Sequence, residues 1–540
     1  MAEEVKIDSN STGLKMAEET TLGVLPGSPT WYEMEPNSYA DFGAQLALVA
    51  RNPINAGRQR KKGVITDLDA TGGFNQDVTF TNLAHLWPSL FMSTKEAKLS
   101  YLGATASVDD VGGTATTMTA TGVDITGELL DGMIFFVSGM TNSSNNGLHI
   151  LTGSGFTTDT TLTFAGSTFV AETPGADFKM VLVGYQFPAD DANVVAGGGN
   201  LPTITSDATT NLTNLGLQIG EFIYIGGDTT ATKFTTASNL GFCRVSSVAN
   251  IATGVIQLDK TGGGADGETE MSSESLSGGE TVQIFFGGVT RNVGTNDPLF
   301  DRHTWAIERQ LGIPNPGSTN DYQAEVLEGS VLNEFSLNIA QADKLMADFT
   351  FIGTDKTNYA DTDTKPTESG TDATIESATA YNTSSDFSRI RMAQVRPSNQ
   401  GAPTPLFAYV TETTLNVNNN ASPNKAVGVL GAFDVSLGNF EVSGSVTAYF
   451  ADVASVDAVR NNADVTLDIA LVKDFGTGTE ARKTGLVWDV PLIALGDGRA
   501  NVAQDEAITL PLDVQAAEYE NFGHTLMLCE FDYLPDVADT

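Results

Sequence analysis

No apolar run in this chain is long. Met133 to Val137 is among the longest, far short of the roughly 20 residues that span a bilayer. Clusters of Gly, Thr, Asn, Asp and Ser break the apolar stretches before long helices can form. That punctuation constrains the fold more than any other feature: a chain cut so often buries its apolar residues as many short strands joined by turns, and the expected class is mainly β. The 540 residues, 55 of them glycine, leave room for two to four domains with ample core.

Charge narrows function next. The chain carries 28 Lys and Arg against 67 Asp and Glu, a formal net of −39. Clustered cations grip duplex DNA by displacing its counterions, so a surface of this sign holds no specific DNA site. It can still surround DNA, because a wall of like sign repels phosphates at every point and gives none a place to stick. Only Cys243 and Cys529 are present, too few for a disulfide framework or a Cys-ligated zinc site, which suits assembly in a reducing cytoplasm. The opening MAEEVKIDSNSTG has acids where a signal peptide needs a basic and then an apolar stretch; neither export nor membrane insertion is expected.

Along the chain the composition changes several times. Residues 1–103 contain LKMAEETTLGVLPGSPTWYEMEPNSY from Leu14, where Pro26, Pro29 and Pro36 favour an extended segment. Val64, Phe74, Val78 and Phe80 are then inward candidates, and TNLAHLWPSLFM (Thr81 to Met92) reads as a short helix near Leu83 to Phe91, interrupted near Pro88. From Ala104 to Thr290 the composition turns to Gly, Thr, Ser and Asp, with 4 basic and 19 acidic residues, a net of 4 − 19 = −15. This stretch reads as an inserted, outward-facing β-rich decoration domain. Within it, Asp131 to Glu172 and Ile219 to Lys260 share a pattern of Gly, apolar strand, Gly, polar loop and Asn-containing turn, with Gly132 and Gly220 spaced by 220 − 132 = 88 residues; that points to a duplicated module. The composition of the N-terminal stretch returns over 291–355, where Tyr322 to Gly353 reads as strands around a turn at Gln341 to Lys344. A Thr-, Asp- and Ser-rich linker is expected over 356–386, and a C-terminal tube-like or second unit over 387–540, with strands and a helix at Val453 to Asn461.

Catalytic arrangements are missing from this pattern. His85, His149, His303 and His524 lie far apart, and isolated histidines are more often structural than catalytic. No GxSxG, GxGxxG or phosphate-binding loop occurs, and Lys483-Thr484 lacks the glycine that such a loop places before them. No catalytic residue, cofactor or metal is expected. The pairs Asp67/Asp69 and Asp361/Asp363 have calcium-loop spacing, but neither completes the six or more oxygens the ion requires. The one basic concentration is RNPINAGRQRKKG: Arg51, Arg58, Arg60, Lys61 and Lys62 hold five of the 28 positive charges. No aromatic residue lies between them to stack on bases, so pairing with an acidic surface of a neighbouring copy is the reading preferred to a nucleic-acid patch or a solvated loop.

The N-terminal run TGLKMAEETTLGVLPGSPTWYEMEPNSYADFGAQLALVARNPINAGRQRKKGVITDLDATGGFNQDVTF resembles the opening of the tail tube proteins of long-tailed, siphovirus-type bacteriophages. The similarity continues more loosely through HTWAIERQLG, EGSVLNEFSLNIAQADKLMADFTFIG, VTAYFADVASVDAVRNN, GLVWDVPLIALGDGRANVAQDEAITLPLDV and FGHTLMLCEFDYLP, and leaves 104–290 unmatched. It implies β-sandwich or half-barrel tube domains with a flanking short helix, joined side by side into rings. Those rings would contain six copies, or three if the tube unit is duplicated. They would stack into a tube in the virion tail, assembled in the host bacterial cytoplasm. The implied partners are the tape-measure protein in the lumen, tail terminator and distal tail proteins, and double-stranded DNA passing without specific binding. The basic loop would then contact the next subunit or ring, and the insertion would be dispensable for assembly. The rival reading is a β-rich surface adhesin or virion decoration protein that binds host surface polymers; an enzyme ranks below both.

Overall fold

A computed structural model of the chain describes residues 7, 9–54, 57–102, 110–111, 116–119, 128–153, 161–197, 200–259, 271–312, 322–375, 377–394, 404–405, 409–450, 453–502 and 504–536. The protein is mainly β, with two α-helices among the described residues. It divides into two compact units: Met1–Thr94, Val293–Thr383 and Glu412–Ser445 make the first, and Lys95–Asn292, Ser384–Thr411 and Val446–Thr540 the second.

The first unit is organised by one long strand, Gln323–Ala340. Its first part joins a sheet with Trp305–Leu311, Thr12–Glu18 and Thr30–Met34, and with Asp355–Tyr359 on its other edge. Its second part joins another sheet, between Met346–Gly353 and Val410–Asn418, and Met346–Gly353 pairs in turn with Lys61–Asp77. The strand leaves one sheet for the other at Gly329, whose φ of +60° is left-handed and so suits glycine. There the buried Glu19 carboxylate accepts from the Gly329 and Gly23 amides and from the Thr304 hydroxyl; burial still raises its pKa.

The expected alternation is realised in Met346–Gly353, where Ala347, Phe349 and Phe351 point inward and Asp348 and Thr350 outward. Phe74, Phe349 and Phe335 stack across three strands, and Trp87 meets Phe335 edge-on. The helix near Pro88 differs from expectation. It spans Trp87–Phe91, with the proline in its first turn, where a missing amide costs nothing; Pro88 therefore starts the helix rather than interrupting it. The 356–386 stretch, expected as a linker, adds the end of Asp355–Tyr359 and a parallel pairing of Thr371 and Asp372 with Thr30 and Trp31. Its polar composition concealed strands that lie at a sheet edge.

In the second unit, Phe387–Gln394, Val465–Phe475, Arg482–Asp497, Met527–Leu534 and Gly288–Arg291 form one sheet. The C-terminal helix is Ala454–Arg460, close to its expected place. The strands of the inserted stretch pack on this sheet. Ile134, Phe136, Val183, Phe222, Tyr224, Phe242 and Phe285 share a core with Ala470, Val472, Val487, Met527, Cys529 and Phe531. On their other side Met133, Phe135, Leu182, Ile223 and Ile284 enter a second core. This explains why MIFFV and FIYI are unbroken apolar runs and why VQIF is apolar but for Gln283: these strands are buried on both faces.

Buried ions reinforce the junction. Arg244 gives Nη1 to both oxygens of Asp489 (2.8 and 2.9 Å) and Nε to Asp259 (2.6 Å). At the ends of the insertion Lys95 pairs with Glu530, Lys98 with Glu221 and Arg291 with Glu96. The inserted stretch thus supplies a layer of the second unit, packed on its sheet.

Its two halves repeat one hydrogen-bond scheme. Gly132 and Gly220, at φ +93° and +90°, donate to Leu151 and Val245. Asn145 clamps the Val170 backbone and the Glu172 carboxylate, which accepts from the Thr141 and Asn142 amides. Asn239 does the same with Ser272 and Glu274, which accepts from the Thr235 and Thr236 amides.

Candidate functional site: a basic hairpin and a polar sheet face

Pro36–Arg51 and Lys61–Asp77 form a long hairpin, registered from Pro36↔Gln76 to Arg51↔Lys61. Its inner half is anchored by Leu68, Ala70 and Phe74, which are buried. Its outer half is not covered. Leu48 and Val49 are neighbours and so point to opposite faces, yet they are 67% and 55% exposed, and Val64 and Ile65 are 53% and 52% exposed.

All five basic residues named from the sequence sit at this end. Arg51 closes the first strand and Lys61 and Lys62 open the second. Arg58 and Arg60 lie in the intervening turn, Arg58 at φ +53°. All five are exposed, and none has an ion-pair partner among the described residues. The hairpin brings together charges that the sequence showed only as a run.

The second feature was not legible as a site. One face of the sheet containing Lys61–Asp77, Met346–Gly353, Gln323–Ala340 and Val410–Asn418 is polar, while its other face is the Phe74, Phe335, Phe349 and Leu415 core. Asn75, Asp348, Ser336 and Asn416 lie side by side in register. They are tied laterally: Asn75 and Asn338 each donate to Asp348 (2.8 and 2.9 Å), Ser336 to Asn416 (2.6 Å) and Asn418 to Glu334 (3.1 Å). Thr414 and Ser445 share a 3.0 Å bond further along. Lys344 lies at the margin, neutralised by Asp77 at 2.7 Å. Several amide and hydroxyl donors are engaged with neighbours and the carboxylates carry the net charge, so among the described residues the face offers a polyanion no cation of its own to hold it. The alternation of Asn, Ser, Thr, Glu and Asp with apolar residues in VLNEFSLNIA and TETTLNVN was its only trace in the sequence.

The remaining candidates serve structure. His85 is half-buried and stacks on Tyr32 with centroids 4.0 Å apart. His149 meets Ser167, His303 meets Glu18, and His524 is buried against the Phe522 carbonyl; nothing brings the four together. Asp67 and Asp69 both face Lys425, a cation where a calcium site needs free oxygens. Asp363 accepts from the Ala360 amide, and Lys365 takes the Asp361 carbonyl. Among the described residues no three His, Cys, Asp or Glu side chains cluster so as to hold a metal, and no helix is long and apolar enough to cross a membrane.

Compared with known proteins, residues 9–516 match the family described as phage tail tube protein. No curated protein matches the chain.

Proposed function

The chain belongs to the phage tail tube protein family, a structural component of the virion tail, and on that premise we propose how it works. Copies close into rings of six, or of three with two tube-like units each, and the rings stack into the tube of a long-tailed, siphovirus-type phage. Its role is structural rather than catalytic. It assembles in the host cytoplasm around the tape-measure protein, is bounded by tail terminator and distal tail proteins, and later conducts double-stranded DNA into the host.

The observation that carries this reading is the polar face of the first unit. A sheet with an apolar core behind it and laterally bonded, net-acidic side chains in front suits a lumen wall along which DNA slides. Beside it, the uncovered hairpin suits contact with a neighbour, with Arg51, Arg58, Arg60, Lys61 and Lys62 facing acidic groups of the next subunit or ring. The 104–290 insertion is a duplicated module, a reading supported by its twice-repeated Asn and Glu scheme, and its proposed role is that of an outward decoration.

Electron microscopy of the concentrated protein tests the reading: hollow tubes or rings wide enough for duplex DNA are expected, and persistent monomers would overturn it. Reversing Arg60, Lys61 and Lys62 to Glu should weaken polymerisation most at low salt, where charge attraction is least screened; unchanged polymerisation would remove these residues from the contact.

A further inference from the structure

The exposed half of the hairpin poses a packing problem whose solution lies elsewhere on the chain. A two-stranded hairpin is marginal on its own in water, and this one exposes Leu46, Leu48, Val49, Val64 and Ile65 over both faces together with five uncompensated cations. A surface that covers it must be apolar and must carry free carboxylates.

The second unit has such a surface. Tyr409, Tyr449, Val453, Val502 and Ile508 are 74%, 40%, 64%, 76% and 39% exposed. They converge because the Tyr449 amide donates to the Tyr409 carbonyl, the Phe450 amide to the Ile508 carbonyl, and Asn501 pairs with Thr509. Asp457 on the adjoining helix, and Asp505 and Glu506 on the loop before Ile508, are exposed and have no ion-pair partner among the described residues. The local cations are Arg460 and Arg499, and Arg499 already faces Asp497.

The first unit has another apolar patch, at Val427, Val429, Leu430 and Phe433. Its neighbours are Lys425, Asp67 and Asp69, already joined to one another, and Asp434, paired with Arg302. Three carboxylates against two cations leave it one spare negative charge, and each carboxylate already has a cation beside it, whereas Asp457, Asp505 and Glu506 have none among the described residues; charge favours the second unit's patch.

We propose that the outer half of the 36–77 hairpin of one copy docks on the Tyr409, Tyr449, Val453, Val502 and Ile508 patch of another, with Lys61, Lys62 and Arg60 against Asp505, Glu506 and Asp457. The occupant is a second copy of this chain, joined head to tail. The two surfaces on one copy are different and complementary, so the contact propagates into a closed ring or a stack. This assignment rests on the tube reading.

The full-length protein tests it. Reversal of the hairpin (Arg60→Glu, Lys61→Glu, Lys62→Glu) and of the patch (Asp505→Lys, Glu506→Lys) should each raise the concentration needed for assembly by about tenfold or more. Combining them should restore it to within about threefold, read by light scattering and sedimentation at low salt. Circular dichroism on each soluble variant confirms folding. Independently, mixing Lys62→Cys protein with Glu506→Cys protein under mild oxidation should give a covalent dimer that neither variant gives alone. If the unaltered chain assembles and the reversed patch assembles equally well, or no mixed dimer forms, the docking assignment falls and the tube reading stands. If the unaltered chain never leaves the monomer, both fall.

Discussion

His85 and His524 are held neutral by the core that surrounds them. Burial pushes each imidazole down to about 3, helped at His524 by Arg291 and Arg244. A folded pKa below the ordinary 6.5 contributes stability that is complete above about pH 6.5 and is lost as pH falls toward 3, at about 1.4 kcal/mol for each unit of separation. His85→Phe keeps a ring against Tyr32 without the titration. Its urea-unfolding free energy should fall less between pH 7 and pH 4 than the parent's; an equal fall would place the acid sensitivity elsewhere.

Arg244 is the other decisive residue. Burial and the neighbouring Asp468 and Asp259 carboxylates push Asp489 up to about 7 even with the guanidinium beside it. Arg244→Met strips three buried contacts and should destabilise the second unit by about 3 to 5 kcal/mol. Trp488 reports this unit by fluorescence, since Trp31, Trp87 and Trp305 belong to the other; a loss under about 1 kcal/mol would mean that the cluster is not a clamp.

Among elements, half-buried strands were the most legible. In Met346–Gly353 and in Gln323–Ala340 from Phe335 onward an apolar residue every second position marks the face toward the core, and the turn at Gln341 to Lys344 falls where polar residues break that rhythm. The short helix Ala454–Arg460 was equally readable. Strands buried on both faces lose the rhythm, so MIFFVS announces burial without saying against what. Its partners, Val487 and Phe531 among them, are hundreds of residues away, and nothing local encodes that pairing. For the same reason the basic run was visible while its seat on an uncovered hairpin was not.

Two outcomes belong at this scale. Removing Ala104 to Thr290 uncovers Ala470, Val472, Val487, Met527 and Phe531, and should yield aggregated protein rather than tubes; ordered tubes from the deletion would show that the C-terminal sheet stands alone. Gly329→Ala meets a left-handed φ and places a methyl 2.4 Å from the Thr354 hydroxyl. It should cost more than about 1 kcal/mol, seen as a lowered Tm.

For the whole molecule, the proposed tube separates two tasks. The outer hairpin and its complementary patch set how copies join; the polar face sets what passes. Ser336→Lys and Asn416→Lys place cations on that face, away from the hairpin. They should leave tube formation intact and slow DNA release from reconstituted phage, because each lysine holds a phosphate in passing. Unchanged release would show that DNA does not travel along this face.

The lateral ties among Asn75, Asp348, Asn338, Ser336 and Asn416 also bear on friction. Side chains already bonded to their neighbours have less freedom to reach for a moving strand, and in the proposed tube hydrated carboxylates would keep water between the wall and the phosphates. On that reading the face would act as a lubricated bearing: drag would come from shearing that water and not from breaking contacts, which would leave the speed of transit to the force behind the DNA.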